Sequence, residues 1–98
     1  MKLKELIPVE QLCTHYKIER TFFDGLEEYG LIELTTVETS NCVHIDHVKK
    51  IEKMMRLRDE LHLNYEGIDT VMNLLERIEE LNERLRKTRQ RLSIYEQL

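Results

Sequence analysis

Proline and glycine are scarce in this chain, which has one proline, Pro8, and three glycines, Gly25, Gly30 and Gly67. So few backbone breakers leave no glycine-rich loop to cradle a phosphate and no low-complexity linker. Cysteine is nearly as rare. Cys13 and Cys42 make no disulfide framework, and reduced thiols fit the cytoplasm. Long hydrophobic runs are missing too. No stretch approaches the ~20 apolar residues that span a bilayer, and the start MKLKELIPVEQL lacks a signal-peptide core. The expectation is a cytoplasmic protein without a membrane partner. No Ser/His/Asp or Cys/His spacing sits in a recognisable frame, and no sizeable pocket is expected in so small a helical body. Glu27-Glu28 and Glu79-Glu80 are adjacent on helices and point different ways, so they form no acid/base dyad. Neither enzyme activity nor a cofactor is expected.

What is present is charge and helical periodicity. The 98 residues are 41% hydrophobic and 35% charged, which suits one helical domain with an extension and much solvated surface. The net charge of −4 is uneven, since residues 1–47 carry −5 and residues 48–98 carry +1. The acidity belongs to the first half. It repels polyphosphate and favours a basic protein surface.

From Tyr65 to Leu98 one glycine and no proline interrupt the chain. Val71, Leu74, Ile78, Leu81, Leu85, Thr88, Leu92 and Tyr95 recur at alternating steps of three and four, the spacing of a coiled-coil seam. A second apolar row, Ile68, Met72 and Leu75, widens the stripe at first; beyond Ile78 it becomes Glu79, Asn82 and Arg86. A wide stripe docks on a globular body and a narrow one suits a single partner helix. The reading is one helix, or two with a slight break, having a docked root and a projecting arm. Residues 76–83 hold four acids and one base, whereas residues 84–91 hold five bases and no acid. Two antiparallel copies crossing near Glu83 match Ile78 with Thr88, Leu81 with Leu85 and Leu74 with Leu92. They also set Glu80 near Arg86 and Glu79 near Lys87. Such charges select orientation more than they add stability. Self-association through Leu74, Ile78, Leu81, Leu85 and Leu92 is expected, giving a homodimer; folding of the arm back onto its own head is the alternative.

Ahead of that helix, Leu3 to Ile7 read as a short strand or extended lead-in, and Pro8 opens a helix from its first turn. Val9, Leu12, Cys13 and Tyr16 share one face. After a tight turn at residues 16–19, a second helix runs from near Glu19 to Tyr29 and stops at Gly30. The pair reads as a helix-turn-helix. Residues 31–45, LIELTTVETSNCVHI, have β-branched residues on both sides of a polar tip at residues 38–41, the pattern of a hairpin. Asp46 is placed to cap a third helix carrying Val48, Ile51, Met54 and Met55, and Asn64 to cap the long one.

This order is similar to that of MerR-like regulators. The residues that carry the likeness are KIERTFFDGLEEYGLI, with its turn, second helix and exit, and LHLNYEGIDTVMNLL, the next capped helix. Within that superfamily the chain resembles the chaperone modulator CbpM family, on the LNYEGI cap, the uninterrupted LLERIEELNERLR run and the acidic second helix. The fold expected is mainly α, a MerR-like winged helix-turn-helix head over residues 1–75 with a short β-hairpin wing. The long C-terminal helix extends beyond it, with residues 76–98 as a coiled-coil arm. The resemblance implies binding to the J-domain of a CbpA/DnaJ-type co-chaperone, restraining its action on Hsp70. MerR-like regulators instead insert the second helix into the DNA major groove and touch phosphates with the wing.

The residues weigh against DNA. MerR-like proteins commonly carry basic residues where this chain has Thr21 and Asp24. The wing from Glu33 to Cys42 has two acids and no Lys or Arg. Phosphate contacts supply salt-dependent affinity, and Lys17 and Arg20 alone offer little. A DNA-binding transcriptional regulator is therefore the second reading. Helical spacing puts Phe23, Leu26 and Tyr29 on the core side of the second helix, and Thr21, Asp24, Gly25 and Glu28 opposite, with Phe22 at the edge. The expected partner-binding set is an acidic face of Asp24, Glu27, Glu28 and Glu33 with Phe22 as exposed anchor. The alternative is that both phenylalanines are buried and the acids merely solvated. Cys42, His44 and His47 have metal-ligand chemistry, but His47 falls in the next helix and no second cysteine is near, so no metal site is expected.

Overall fold

A computed structural model describes residues 5–97 of the chain. Leu3 and Lys4, at the start of the expected lead-in, lie outside the described residues. Strand β1 is Leu6–Pro8, followed by helix α1, Val9–Tyr16, and helix α2, Arg20–Glu28. Strands β2, Thr35–Val37, and β3, Ser40–His44, lead through a 3₁₀ turn at Ile45–His47 into helix α3, Val48–Leu61. Helix α4 then runs unbroken over Tyr65–Gln97.

Pro8 does not open α1 from inside. It ends β1 and takes the N-cap position with ψ 137, an extended geometry that its fixed φ allows and that needs no N–H at a sheet edge. The α1 face is as expected, with Val9 and Leu12 buried and Cys13 and Tyr16 packed at the margin. Lys17 closes the helix in the left-handed region at φ 55, and the Ile18 N–H donates to Cys13 O at 3.0 Å. That turn delivers Ile18 to the core and sets α2 across α1.

Helix α2 ends in a Schellman motif. Gly30, at φ 71, donates its N–H to Glu27 O at 2.9 Å, and the Leu31 N–H reaches Leu26 O at 2.8 Å. The strand segment then forms more than a hairpin. β3 lies between β2 and β1 in an antiparallel three-stranded sheet, with Thr36 opposite Asn41 and Ile7 opposite Val43. The hairpin turn is tighter than the four-residue tip read from the sequence: Val37 pairs with Ser40, and Glu38 takes φ 59 between them. Asp46 is not the cap expected of it. Its own N–H is accepted by the Nδ1 of His44 at 3.1 Å, so His44 caps the turn that leads into α3. Asn64 does cap α4, its Oδ1 accepting from the Gly67 N–H at 2.8 Å.

One core unites these elements. Val9, Phe23, Leu26, Val43, Ile51, Met54 and Ile68 are each buried to within 2% of complete. Along α4 burial fades quickly. Ile68 is enclosed, Met72 is packed at the core's edge, and every described residue from Asn73 onward is exposed. The remainder of the helix leaves the head, which makes the molecule 61 Å long and 21 Å across its narrowest axis.

Candidate docking surfaces

Tyr65, the first residue of α4, decides which parts of α2 remain free. Its ring stacks on Phe22 at 6.0 Å between centroids and on Tyr29 at 5.1 Å. Its hydroxyl donates towards the backbone carbonyls of Thr21 and Phe22 at 3.5 and 3.4 Å. The ring lies over Gly25 so closely that a Cβ there would stand 2.1 Å from two of its atoms. The guanidinium of Arg58 covers Phe22 from α3, 4.4 Å from the ring centroid.

Three sequence expectations for α2 are corrected here. Phe22 is only 4% exposed, so it is a core residue and not an exposed anchor. Gly25, read onto the solvent side with Asp24 and Glu28, is buried. Tyr29, read onto the core stripe, is instead 48% exposed. The periodicity of α2 showed one buried face; α4 covers a second. A glycine in mid-helix was the available signal, because such a residue weakens a helix and often marks a close approach.

Asp24, Glu27, Glu28 and Glu33 are all exposed, as expected. Asp24 is partly neutralised: Arg20 lies 3.2 Å from it and 3.1 Å from Glu10 on α1. Among the described residues, Glu27, Glu28 and Glu33 have no ion-pair partner. From Leu31 to Asp46, through the whole hairpin, there is no Lys or Arg. The structure thus places free carboxylates and one half-exposed tyrosine at the C-terminal end of the second helix.

The cysteines and histidines take structural places. Cys42 is buried at 5% exposure, and its Sγ lies 4.0 Å from Ser40 O. His44 is engaged by the Asp46 N–H and approaches Glu5 at 3.4 Å, with its ring centroid 5.8 Å from that of His47. Among the described residues no three His, Cys, Asp or Glu side chains are grouped to hold a metal ion. Burial raises the Cys13 thiol above its ordinary value and outweighs the lowering pull of the Arg20 charge, a shift that disfavours the thiolate. Burial also raises the Tyr16 phenol, assisted by its hydrogen bond to Glu52 at 2.9 Å.

The second surface is the arm. Leu74, Ile78, Leu81, Leu85 and Leu92 are 47–57% exposed and unpartnered along one side of α4. Arg86 bonds Glu83 at 2.6 Å and holds that carboxyl below its usual range. Among the described residues no helix is long and apolar enough to cross a membrane.

Comparison with known proteins adds a lineage. The family of MerR HTH regulatory proteins matches residues 7–90. The chaperone modulatory protein CbpM of Escherichia coli O1:K1 is 29% identical over 86 residues, covering 87% of this chain and 85% of that protein. CbpM of Escherichia coli O139:H28 is equally similar over the same extent. No solved structure matches the chain.

Proposed function

Because the chain belongs to the MerR HTH regulatory family and to the CbpM-like proteins within it, we propose that it is a chaperone modulator. It binds the J-domain of a CbpA/DnaJ-type co-chaperone through the acidic end of α2 and so inhibits the co-chaperone's action on Hsp70. The observation that carries this reading is the sign of the exposed charge. Where a winged helix grips phosphate, this head offers Glu27, Glu28 and Glu33 free and a hairpin without a single cation. A cationic helix is what such a surface attracts, and a duplex is what it repels.

Occlusion is the mechanism, without bond chemistry. The acids steer encounter with the basic face that the J-domain would present to Hsp70. Tyr29 takes the anchoring place that Phe22 cannot, since it is the large exposed apolar residue adjoining Glu28. The head, residues 1–75, does the binding in the cytoplasm. The arm, residues 76–98, pairs with that of a second copy along the exposed leucine row.

Calorimetry against a J-domain, beside a DNA mobility shift at two salt concentrations, tests the reading. Micromolar or tighter J-domain binding with no shift at physiological salt is expected. Glu27→Lys/Glu28→Lys should weaken binding and flatten its salt dependence. Tight DNA binding by a chain that ignores J-domains overturns the proposal and restores the transcription-regulator reading.

A further inference from the structure

Arg77, Arg84 and Arg91 stand at intervals of seven residues on α4, so they share one side of the helix. Each directly precedes a residue of the seam, Ile78, Leu85 and Leu92 in turn. They therefore border the leucine row along one flank, over a length of about 21 Å. All three are exposed, and among the described residues none has an ion-pair partner. Residues three and four positions away are the neighbours on a helix surface. Among those neighbours Glu80, between Arg77 and Arg84, is the one acid, and Lys87, between Arg84 and Arg91, adds a cation.

An antiparallel pair sets like flanks side by side. In the register that matches Leu81 with Leu85, Arg84 of one copy faces Arg84 of the other, and Arg77 faces Arg91 at either end of the same flank. Three pairs of guanidinium groups thus line up, and the two Glu80 carboxylates do not balance them. The opposite flank sets Asn82 against Asn82 and Leu75 against Arg89, so the cationic charge is gathered on one side of the pair. Like charges brought together across an interface oppose its formation. An anion lying between the copies removes that cost, and guanidinium forks take phosphate oxygens two at a time. The heads limit its length. An antiparallel pair puts one head beyond each end of the flank, and residues 1–47 of each copy carry −5. A short, dense anion fits between the heads, whereas a duplex runs into both.

We infer that the paired arms form a site for a short polyphosphate along the flank of Arg77, Arg84 and Arg91, of which a single chain supplies only half. The inference rests on the pairing of arms proposed above. Anion binding and pairing are then reciprocally linked: the anion tightens the pair, and pairing tightens the hold on the anion.

Sedimentation equilibrium with inorganic tripolyphosphate tests it, sodium chloride being adjusted to hold the ionic strength constant. In about 1 mM tripolyphosphate the wild-type pair should tighten about tenfold, the linkage expected of an anion held at about 0.1 mM. Arg84→Gln removes the central like-charge contact. Without the anion its pair should be about threefold to tenfold tighter than wild type at low salt. Tripolyphosphate should then tighten it by less than about threefold. Gain of pairing together with loss of the anion response is a signature that a damaged helix does not give, and circular dichroism checks the helix content. A wild-type dimer that tripolyphosphate leaves unchanged, or an Arg84→Gln pair that responds as wild type does, overturns the anion site and leaves the arm pairing intact. A short duplex that tightens the pair where tripolyphosphate does not overturns the ligand assigned. A wild-type chain that is monomeric both with and without the anion overturns site and pairing together.

Discussion

Replacing Gly25 with alanine should destabilise the protein, although alanine is the better helix former by about 1 kcal/mol. The sign comes from the Tyr65 ring. A Cβ at Gly25 would stand 2.1 Å from both Cζ and Oη of Tyr65 and 2.7 Å from its Cε1. Contacts that short are not absorbed by small adjustments, so the ring must leave. Leaving breaks two stacks, with Phe22 and Tyr29, each worth about 0.5–1.5 kcal/mol beyond burial. Together the stacks are worth about 1–3 kcal/mol, so against the propensity gain of about 1 kcal/mol a net loss of about 1 kcal/mol, and at most about 2, is expected. In a Tyr65→Ala background the obstacle is gone, and the same Gly25→Ala change should stabilise by about 0.5–1 kcal/mol. The sign inversion is the sensitive quantity, because it isolates the coupling between the two residues. Urea unfolding followed by circular dichroism, at one fixed protein concentration for all four chains, gives the cycle. If Gly25→Ala stabilises the wild-type chain, the ring does not sit where the latch requires and the account of α2 fails.

Three further outcomes check other parts of the argument. Phe22→Ala should cost about 3 kcal/mol of stability, as a buried phenylalanine does; a mutant with wild-type stability and weakened partner binding would return Phe22 to the surface. His62 ends α3 in the left-handed region at φ 54, so His62→Gly should raise stability by about 0.5–1 kcal/mol, read as a higher melting temperature. Tyr16 titrates above its ordinary value, so the stability it contributes is fully present below about pH 10 and is lost as pH rises through its folded value. The difference between wild type and Tyr16→Phe in urea unfolding should therefore be constant from pH 7 to about pH 9 and shrink above about pH 10; a difference that grows with pH would reverse the assignment of the Tyr16–Glu52 bond.

Elements dictated by their own residues were legible before the structure. The seam spacing, the absence of proline and the Asn64 cap made α4 readable end to end, and Gly30 marked where α2 stops. What escaped was set by distant contacts. The pattern over Leu3 to Ile7 leaves strand and extended chain open; that it pairs as β1 at Leu6–Pro8 depends on the edge β3 offers it, which the local pattern does not fix. His44 displaced Asp46 as a cap because the chain enters α3 through a 3₁₀ turn. The burial of Phe22 depends on Tyr65, forty-three residues away, whereas the exposure of Asp24, Glu27, Glu28 and Glu33 needed only the rule that unpaired carboxylates stay in water. The charge of the surface was thus readable and its aromatic anchor was not.

That difference bears on how the proposed complex forms. With Phe22 removed from the surface, the free part of α2 is carboxylates around a single half-exposed tyrosine. Exposed charges mainly accelerate association and make it salt-sensitive, while a desolvated aromatic governs how long a complex lasts. The binding expected of this head is therefore fast, weakened by salt chiefly through its on-rate, and dependent on Tyr29 for its lifetime. Tyr29 also stacks on Tyr65, so partner contact at its outer edge loads the latch that joins α2 to α4. Tyr29→Phe preserves the ring and should leave the off-rate within about twofold, whereas Tyr29→Ala should raise it about tenfold or more. Stopped-flow measurement at two ionic strengths separates the two effects. An off-rate untouched by Tyr29→Ala, in a chain that remains folded, would mean that charge alone holds the complex and that no anchor replaced Phe22.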